Sequence, residues 1–459
     1  MYNYIFKKLI HSAIVLFSVI SAIYLFQSHS IIDPVDDFMN SSFGDRPVNK
    51  IEYEKAYVKE AVRQNKHLPN FYFDIIPTYF PDTLHRIILA EKRAFTKDLL
   101  RFSKCSDCTF SYLRKIENIS PIHSLDSLSN LKVNQLLDQI SRENNINDLT
   151  FLFRELESHL DSHNTNELDP LIQSYKKLST SSNTSLLPKI VWHGSQNQLH
   201  NFIKGILTGN LGLSKSDGRT ASSKITKALR WTLSINLIGF ILAGALGLLL
   251  GLWSIKNDGR KRERYTMSIL FFIYTMPVFW TATLLIIFFT TKRYGSWMDI
   301  FPSAGIKYWY ADKSIGEQIL LNASQLVLPI ICITMPSLAY MSRIMKSKFS
   351  EVLSADFITA LKAKGINQRK LYNRHMLKNG MIPYITILTG SIPGLFAGSL
   401  VIEIIFNVPG IGKLLYDSIY ISDWAVISGI VILLSVVTIL AYLLADILYS
   451  MVNPKISLE

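Results

Sequence analysis

Six apolar runs, each near the roughly 20 residues of a membrane-crossing helix, constrain this chain more than anything else in it: 9–27, 231–253, 266–289, 319–341, 381–402 and 425–450. At about 1.5 Å of rise per residue, each is long enough to cross a hydrocarbon core of about 30 Å. The expected fold class is an all-α membrane protein with six transmembrane helices. Composition agrees, because only 18% of the residues are charged, where a soluble domain carries about 25%. The apolar content excludes a disordered chain, and the 3 cysteines exclude a disulfide scaffold. The first run, LIHSAIVLFSVISAIYLFQ, follows Lys7 and Lys8 and is trailed by the small residues Ser28 and Ser30, as in a signal peptide. It is long for a signal's apolar region, so an uncleaved span is preferred.

The formal charge of +13 is a matter of topology. Residues 28–230 hold 26 Lys/Arg against 23 Asp/Glu, which leaves 22 against 12 for the rest of the chain. The basic excess therefore sits around the apolar runs. The loop 254–265 carries Lys256, Arg260, Lys261, Arg262 and Arg264, and segment 342–380 carries nine more basic residues, from Arg343 to Lys378. The positive-inside rule places both loops, and Lys7 and Lys8, in the cytoplasm. Six alternating spans then put both termini inside and export residues 28–230. No nucleic-acid partner is implied.

The exported region reads as a mostly helical insertion between the first two spans. Apolar residues recur three or four apart in 51–66, 83–104, 128–144 and 147–160, while TSSNTS at 180–185 reads as a linker. Cys105 and Cys108 lie in this lobe. Their helical surroundings argue against thioredoxin-like chemistry and leave a local disulfide or two free thiols. His123, His159 and His163 show no zinc-ligand spacing. Cys332 falls inside the fourth run as a packing residue.

No phosphate-loop signature occurs; PGIGKL at 409–414 lacks the first glycine and the Ser/Thr. Metalloprotease and hydrolase motifs are absent as well, so no catalytic residue, metal or cofactor is expected. Four of the spans, 231–253, 266–289, 319–341 and 381–402, contain no Asp, Glu, Lys, Arg or His. Ion-coupled carriers and pumps keep such groups at mid-depth. A transporter built this way draws its energy from a partner. Pro277, Pro329, Pro336, Pro383 and Pro393 lie in or beside spans and can bend them. The small residues of AGALGLLLG at 243–251 permit close helix contact. The sparse polar groups expected along a path are Thr275, Thr281, Thr283, Ser391 and Asn407.

The most informative stretch is SRIMKSKFSEVLSADFITALKAKGINQRKLYNRHMLKNGMIP at 342–383. Asp356–Lys364 can form a short helix with Phe357, Ile358 and Leu361 on one side, ended by Gly365. A second helix over 367–379 leads into the fifth span at Pro383. A basic helix pair with apolar residues suits either lipid headgroups or a cytosolic protein.

This stretch resembles the coupling-loop signature of the inner-membrane permease subunits of ABC importers for dipeptides, oligopeptides and nickel. The similarity includes the alanine–lysine–glycine step at Ala363, Lys364 and Gly365 and the spacing from Gly365 to Pro383. It continues in VIEIIFNVPGIGKLLYDSIYISDWAVISGIVILLS at 401–435, with Glu403, Phe406, Pro409, Gly410 and Gly412. Further matches are Asn453-Pro454-Lys455-Ile456, Asp33-Pro34 and GNLGLS at 209–214. Together they cover residues 1–40 and about 193–459. Two departures stand out. Thr359-Ala360-Leu361 occupies the place of the broader signature's Glu-Ala-Ala, and the insertion carries extra material between about 70 and 190.

The resemblance implies a type I ABC importer in the bacterial inner membrane. This chain would pair with a second homologous permease, two cytosolic ABC ATPases would bind below, and an extracytoplasmic solute-binding protein would deliver a peptide or similar small solute. Asp356, Phe357, Thr359, Ala360, Leu361, Lys362, Lys364, Gly365, Arg369 (with Lys370) and Pro383 would form the ATPase-coupling loop. Glu403, Phe406, Pro409, Gly410 and Gly412 would belong to the translocation path or its gate. The resemblance carries no function over to the insertion; a docking or gating role against the binding protein or the second permease is a separate expectation. The alternatives are a membrane-anchored receptor, which leaves six spans unexplained, and a self-sufficient channel or secondary carrier, which the uncharged spans disfavour.

Overall fold

The computed structural model describes residues 2–28, 35, 36, 39, 49–118, 127–143, 146–160, 168–180, 187–292, 295–306 and 314–452. Asp33-Pro34, the 453–456 segment, His123, His163 and most of the 180–185 linker lie outside the described residues. The chain divides into two compact units, Met1–His29 with Gly205–Glu459, and Ser30–Lys204. The first helix, α1, spans Tyr2–Ser28.

The second unit holds α2 (Lys50–Arg63), α3 (Ala90–Ser103), α4 (Ser106–Glu117), α5 (Ser127–Arg142), α6 (Ile146–Leu160) and α7 (Asp169–Thr180). Its main core is Leu99, Tyr112, Val133, Ile140, Phe153, Leu156 and Tyr175. Phe153 and Tyr175 stack with centroids 3.9 Å apart, and the Tyr175 hydroxyl donates to Thr150 Oγ1 at 2.9 Å. The helix expected from residue 83 starts only at Ala90. Residues Leu84–Arg86 form a 3-10 turn, and the Arg93 guanidinium donates to the carbonyls of Ile87 and Ile88, satisfying them without a helical partner. Cys105 and Cys108 are joined as a disulfide; Cys105 also caps α4, its sulfur accepting from the Cys108 N–H.

The unit is not wholly helical. Strands β1 (Phe73–Pro77) and β2 (Pro188–Trp192) pair antiparallel, with Phe73 opposite Trp192 and Ile75 opposite Ile190. Side chains alternate across a strand, so these four share one face, and all four are exposed. Asp74 and His193 meet at 3.1 Å on the ribbon. The His193 ring packs edge-on to His85. Burial first, and then the neighbouring His193 and Arg86, hold the His85 imidazole below its ordinary value. Helix α8 (Gln198–Leu207) follows.

The first unit continues with α9 (Ala221–Lys256), α10 (Lys261–Thr275), α11 (Val278–Phe289), α12 (Ile315–Leu321), α13 (Ala323–Leu353) and α14 (Asp356–Ala363). After these come α15 (Leu377–Ala397), α16 (Leu400–Ile405), α17 (Ile411–Tyr420) and α18 (Trp424–Val452). Helices α9 and α13 form its central pair. A Cβ on Gly247 or Gly251 would lie 2.5 Å from Met341 Cβ or 2.6 Å from Met345 Cβ, so only glycine at this four-residue spacing allows such an approach. Lys8 near the start of α1 ion-pairs with Asp446 near the end of α18, so these neighbours run antiparallel.

Among the described residues, five helices are long and apolar enough to cross a membrane, in Phe6–Ser28, Ala221–Lys256, Ala323–Leu353, Pro383–Ile405 and Trp424–Leu444. The expected count of six is reached only if α10 and α11, bent by 102° at their junction, are one broken span. The bend has a local cause. Pro277 has no N–H to continue the ladder and disfavours helical backbone in the residue before it; Met276 accordingly is extended, at φ −72° and ψ 131°.

Candidate functional site

The loop between α13 and α15 folds as an elbow. Its first arm, α14, ends in a Schellman motif: the Gly365 N–H donates to Lys362 O at 2.9 Å and the Ile366 N–H to Leu361 O at 3.3 Å. Gly365 sits at φ +74° and a Cβ there would meet nothing within 4 Å, so the backbone angle, not space, calls for glycine. Residues Gln368–Lys370 then lead through a π turn, Leu371–Met376, directly into α15. Ile358, Leu371 and Met376 are buried and pin the elbow to the bundle. Facing out are Asp356, Phe357, Thr359, Ala360, Lys362, Lys364, Gly365, Arg369 and Lys370, with Leu361 half-buried. Pro383 lies inside α15, away from this outward face in sequence. Asn367, Arg369, Lys370, Asn373 and Arg374 line a shallow basic notch on the second arm.

The second group is built around Glu403 of α16, which has no exposed surface. Its Oε1 accepts from Thr232 Oγ1 of α9 at 2.8 Å, and its Oε2 from the Lys413 N–H of α17 at 3.0 Å. The Thr232 hydroxyl oxygen in turn accepts from the Ile411 N–H at 2.7 Å. One carboxyl thus joins three helices and satisfies backbone donors at the start of α17 that would otherwise be orphaned. The glycines around it are required by this contact. A Cβ on Gly398 or Gly410 would lie 2.5 Å from a Glu403 oxygen, and one on Gly412 would lie 2.8 Å from Leu400 Cα. Phe406 is buried in the core shared with Trp231 and Ile235, and Pro409 is half-buried. Of the five residues expected in the path or gate, Glu403, Gly410 and Gly412 are therefore in close contact, with Glu403 enclosed, while Phe406 packs in the neighbouring core.

Of the polar groups expected along a path, the hydroxyls of Thr275, Thr281, Thr283 and Ser391 donate to carbonyls of their own helices. Asn407 is bonded by Lys413. Several functional-looking groups were not among the expectations. Asn236, one helical turn from Thr232, donates to Leu395 O at 3.0 Å near the end of α15. Asp423 caps α18 and binds the 209–219 loop through Ser214 Oγ and the Lys215 N–H. Lys346 of α13 joins Glu263 at 2.8 Å and Asp258 at 3.0 Å. Thr232 and Asn236, two polar residues one turn apart in an apolar run, were the signal available for the first pair.

These features define a multi-pass helical membrane protein with a surface elbow between two spans. Residues 236–458 match the family described as binding-protein-dependent transport system inner membrane component. The chain belongs to that family, and is an inner-membrane permease component of such a transport system. Similar relatives include the di/tripeptide transport system permease protein DppB of Pseudomonas aeruginosa strain UCBPP-PA14, 30% identical over 268 residues, covering 56% of this chain and 80% of that protein. The dipeptide transport system permease protein DppB of Escherichia coli strain K12 is 30% identical over 284 residues, covering 59% and 82%. The oligopeptide transport system permease protein AppB of Bacillus subtilis strain 168 is 31% identical over 257 residues, covering 56% and 78%. Among solved structures, an inward-facing MetNI methionine ABC transporter covers 50% of this chain and 96% of its own at 16% identity, with a TM-score of 0.38; that overlap adds nothing to the assignment.

Proposed function

We propose that this chain is one permease of an ATP-driven importer, that it pairs with a second homologous permease above two cytosolic ATPases, and that its cargo is a peptide. Peptide follows from the names of the relatives above. The basic loops 254–265 and 342–380 then face the cytoplasm, as do both termini, and residues 28–230 face outward to a solute-binding protein. The observation that carries the reading is α14, a short helix held from behind by Ile358 and offering Phe357, Ala360, Lys362 and Lys364 to a partner. The chain has no phosphate loop, so this face is where a hydrolysing partner would grip.

ATP-driven closure of the ATPases would move the elbow, and α15 with it, favouring one of two packings of the bundle. The Glu403 clamp, with Phe406, Pro409, Gly410 and Gly412, would act as the hinge of a gate, because it ties α9 to α16 and α17. For the lobe, the exposed row Phe73, Ile75, Ile190 and Trp192 supports docking to the binding protein. The test is a reconstituted four-subunit complex. Ala360→Cys should cross-link to an ATPase cysteine, and Phe357→Asp should abolish peptide uptake while the chain still inserts. Uptake into vesicles holding this chain without any ATPase would overturn the proposal.

A further inference from the structure

Helices α10 and α13 leave between them a cleft of about 510 Å³, outside both groups described above. Its walls are Met267, Phe271 and Tyr274 on α10 and Tyr340 and Ile344 on α13. The Tyr274 and Tyr340 rings stack at 6.3 Å. Phe271, Tyr274 and Tyr340 are each about half-exposed, which is unfavourable in water and ordinary in lipid. At one end Arg343 lies over the Phe271 ring, 5.6 Å from its centroid. Beside it a second notch is lined by Asp258, Glu263, Arg264 and Lys346. Lys346 is engaged by the two carboxylates. Arg264 and Arg343 have no acidic partner among the described residues. The mouth thus holds three cations against two carboxylates, with the two guanidinium groups unneutralised.

We infer that this cleft binds an anionic phospholipid. The acyl chains lie along Met267, Phe271, Tyr274, Tyr340 and Ile344, and the phosphate lies between Arg343 and Arg264. Charge complementarity selects the occupant. A guanidinium presents paired N–H donors that match phosphate oxygens, and Arg343 stands at the charged end of the cleft, one turn beyond Tyr340. The arginines lie at the end of the spans that carries the basic 254–265 loop, the side on which anionic lipids gather in the cytoplasmic leaflet. The inference rests on the proposed orientation, with the 254–265 loop in the cytoplasm and α10 with α11 as one broken span, and is independent of the cargo and of the ATPase contact.

The test uses the full chain in nanodiscs with photoactivatable phosphatidylglycerol or phosphatidylcholine at equal mole fraction, and adducts are mapped by mass spectrometry. Phosphatidylglycerol should label peptides covering 267–274 and 339–347 at least about fivefold more than phosphatidylcholine, the preference contributed by one basic residue near an anionic headgroup. Arg343→Gln and Arg264→Gln should each lower that ratio by about fivefold, and Arg343→Lys should retain part of it. Two separate arginines and a charge-retaining variant keep the result readable if one protein folds poorly. Equal labelling by both lipids, or a ratio unchanged in both glutamine variants, refutes the site. Loss of all labelling when a second permease is co-reconstituted refutes it too, and would make the cleft a subunit interface.

Discussion

Replacing Gly410 with alanine tests the carboxyl clamp directly. The added carbon would sit 2.4 Å from the Glu403 carboxyl carbon and 2.5 Å from each of its oxygens. Carbon atoms pack best at about 3.5–4.0 Å, so about 1 Å of room is missing. Gly410 has φ −93°, an angle alanine adopts freely, and the effect is therefore steric alone. Glu403 has no free space to retreat into, since it is fully buried and the Gly398 and Gly412 backbones press on it from other sides. Displacing it strands the Thr232 hydroxyl and the Lys413 N–H. A buried polar group left unsatisfied costs about 1–3 kcal/mol, which gives roughly 2–6 kcal/mol for the two. At about 2–4 °C per kcal/mol for a unit of this size, the unfolding midpoint should fall by at least about 4 °C. The assay is thermal unfolding of the purified chain in one detergent, with Gly394→Ala as the control, because a Cβ there meets nothing within 4 Å. If Gly410→Ala and Gly394→Ala melt together with the wild type, the clamp does not hold the bundle and the argument fails.

Three further outcomes follow from the geometry. Gly365→Asn should keep the elbow and its ATPase coupling, whereas Gly365→Val should destabilise the αL turn by about 1–2 kcal/mol and reduce peptide-stimulated ATP hydrolysis in the assembled complex; equal activities would separate the turn from coupling. Asp423→Ala should remove an N-cap worth about 0.5–2 kcal/mol and release the 209–219 loop, read as faster amide exchange there than in α9. In the lobe, the lowered His85 pKa means that the neutral imidazole is favoured on folding. Its contribution is present above the ordinary histidine value and lost as pH falls through the lowered folded value. Amide exchange at 84–86 and 188–193, corrected for intrinsic rates, should rise as pH drops from about 7 to about 5, a range that includes the ordinary histidine pKa; His85→Gln should flatten that response.

The parts of this molecule written in periodic or runs-based terms were legible. The four-residue spacing of Gly247 and Gly251 is a local pattern, and so is the αL stop at Gly365 after an amphipathic turn. Helices α5 and α6 begin and end within two residues of the apolar periodicity that predicts them. What escaped depends on contacts distant in sequence. The ribbon pairs residues 73–77 with 188–192, and neither strand alone is distinguishable from a loop. Glu403 could be placed near a span end but not enclosed, because Thr232 lies 171 positions earlier. Nothing in the 266–289 hydropathy separates a straight span from a sharp bend; Pro277 permits both, and tertiary packing decides.

The π turn at Leu371–Met376 gives the elbow a swivel. A π turn holds surplus chain over a length that α geometry would cover with less. Taking up one residue into the α-helix above would rotate everything on the near side by about 100° and draw it about 1.5 Å along the axis. A push on α14 would then arrive at α15 as torsion as well as translation, and deleting one residue from this turn would lock the shaft in its wound position.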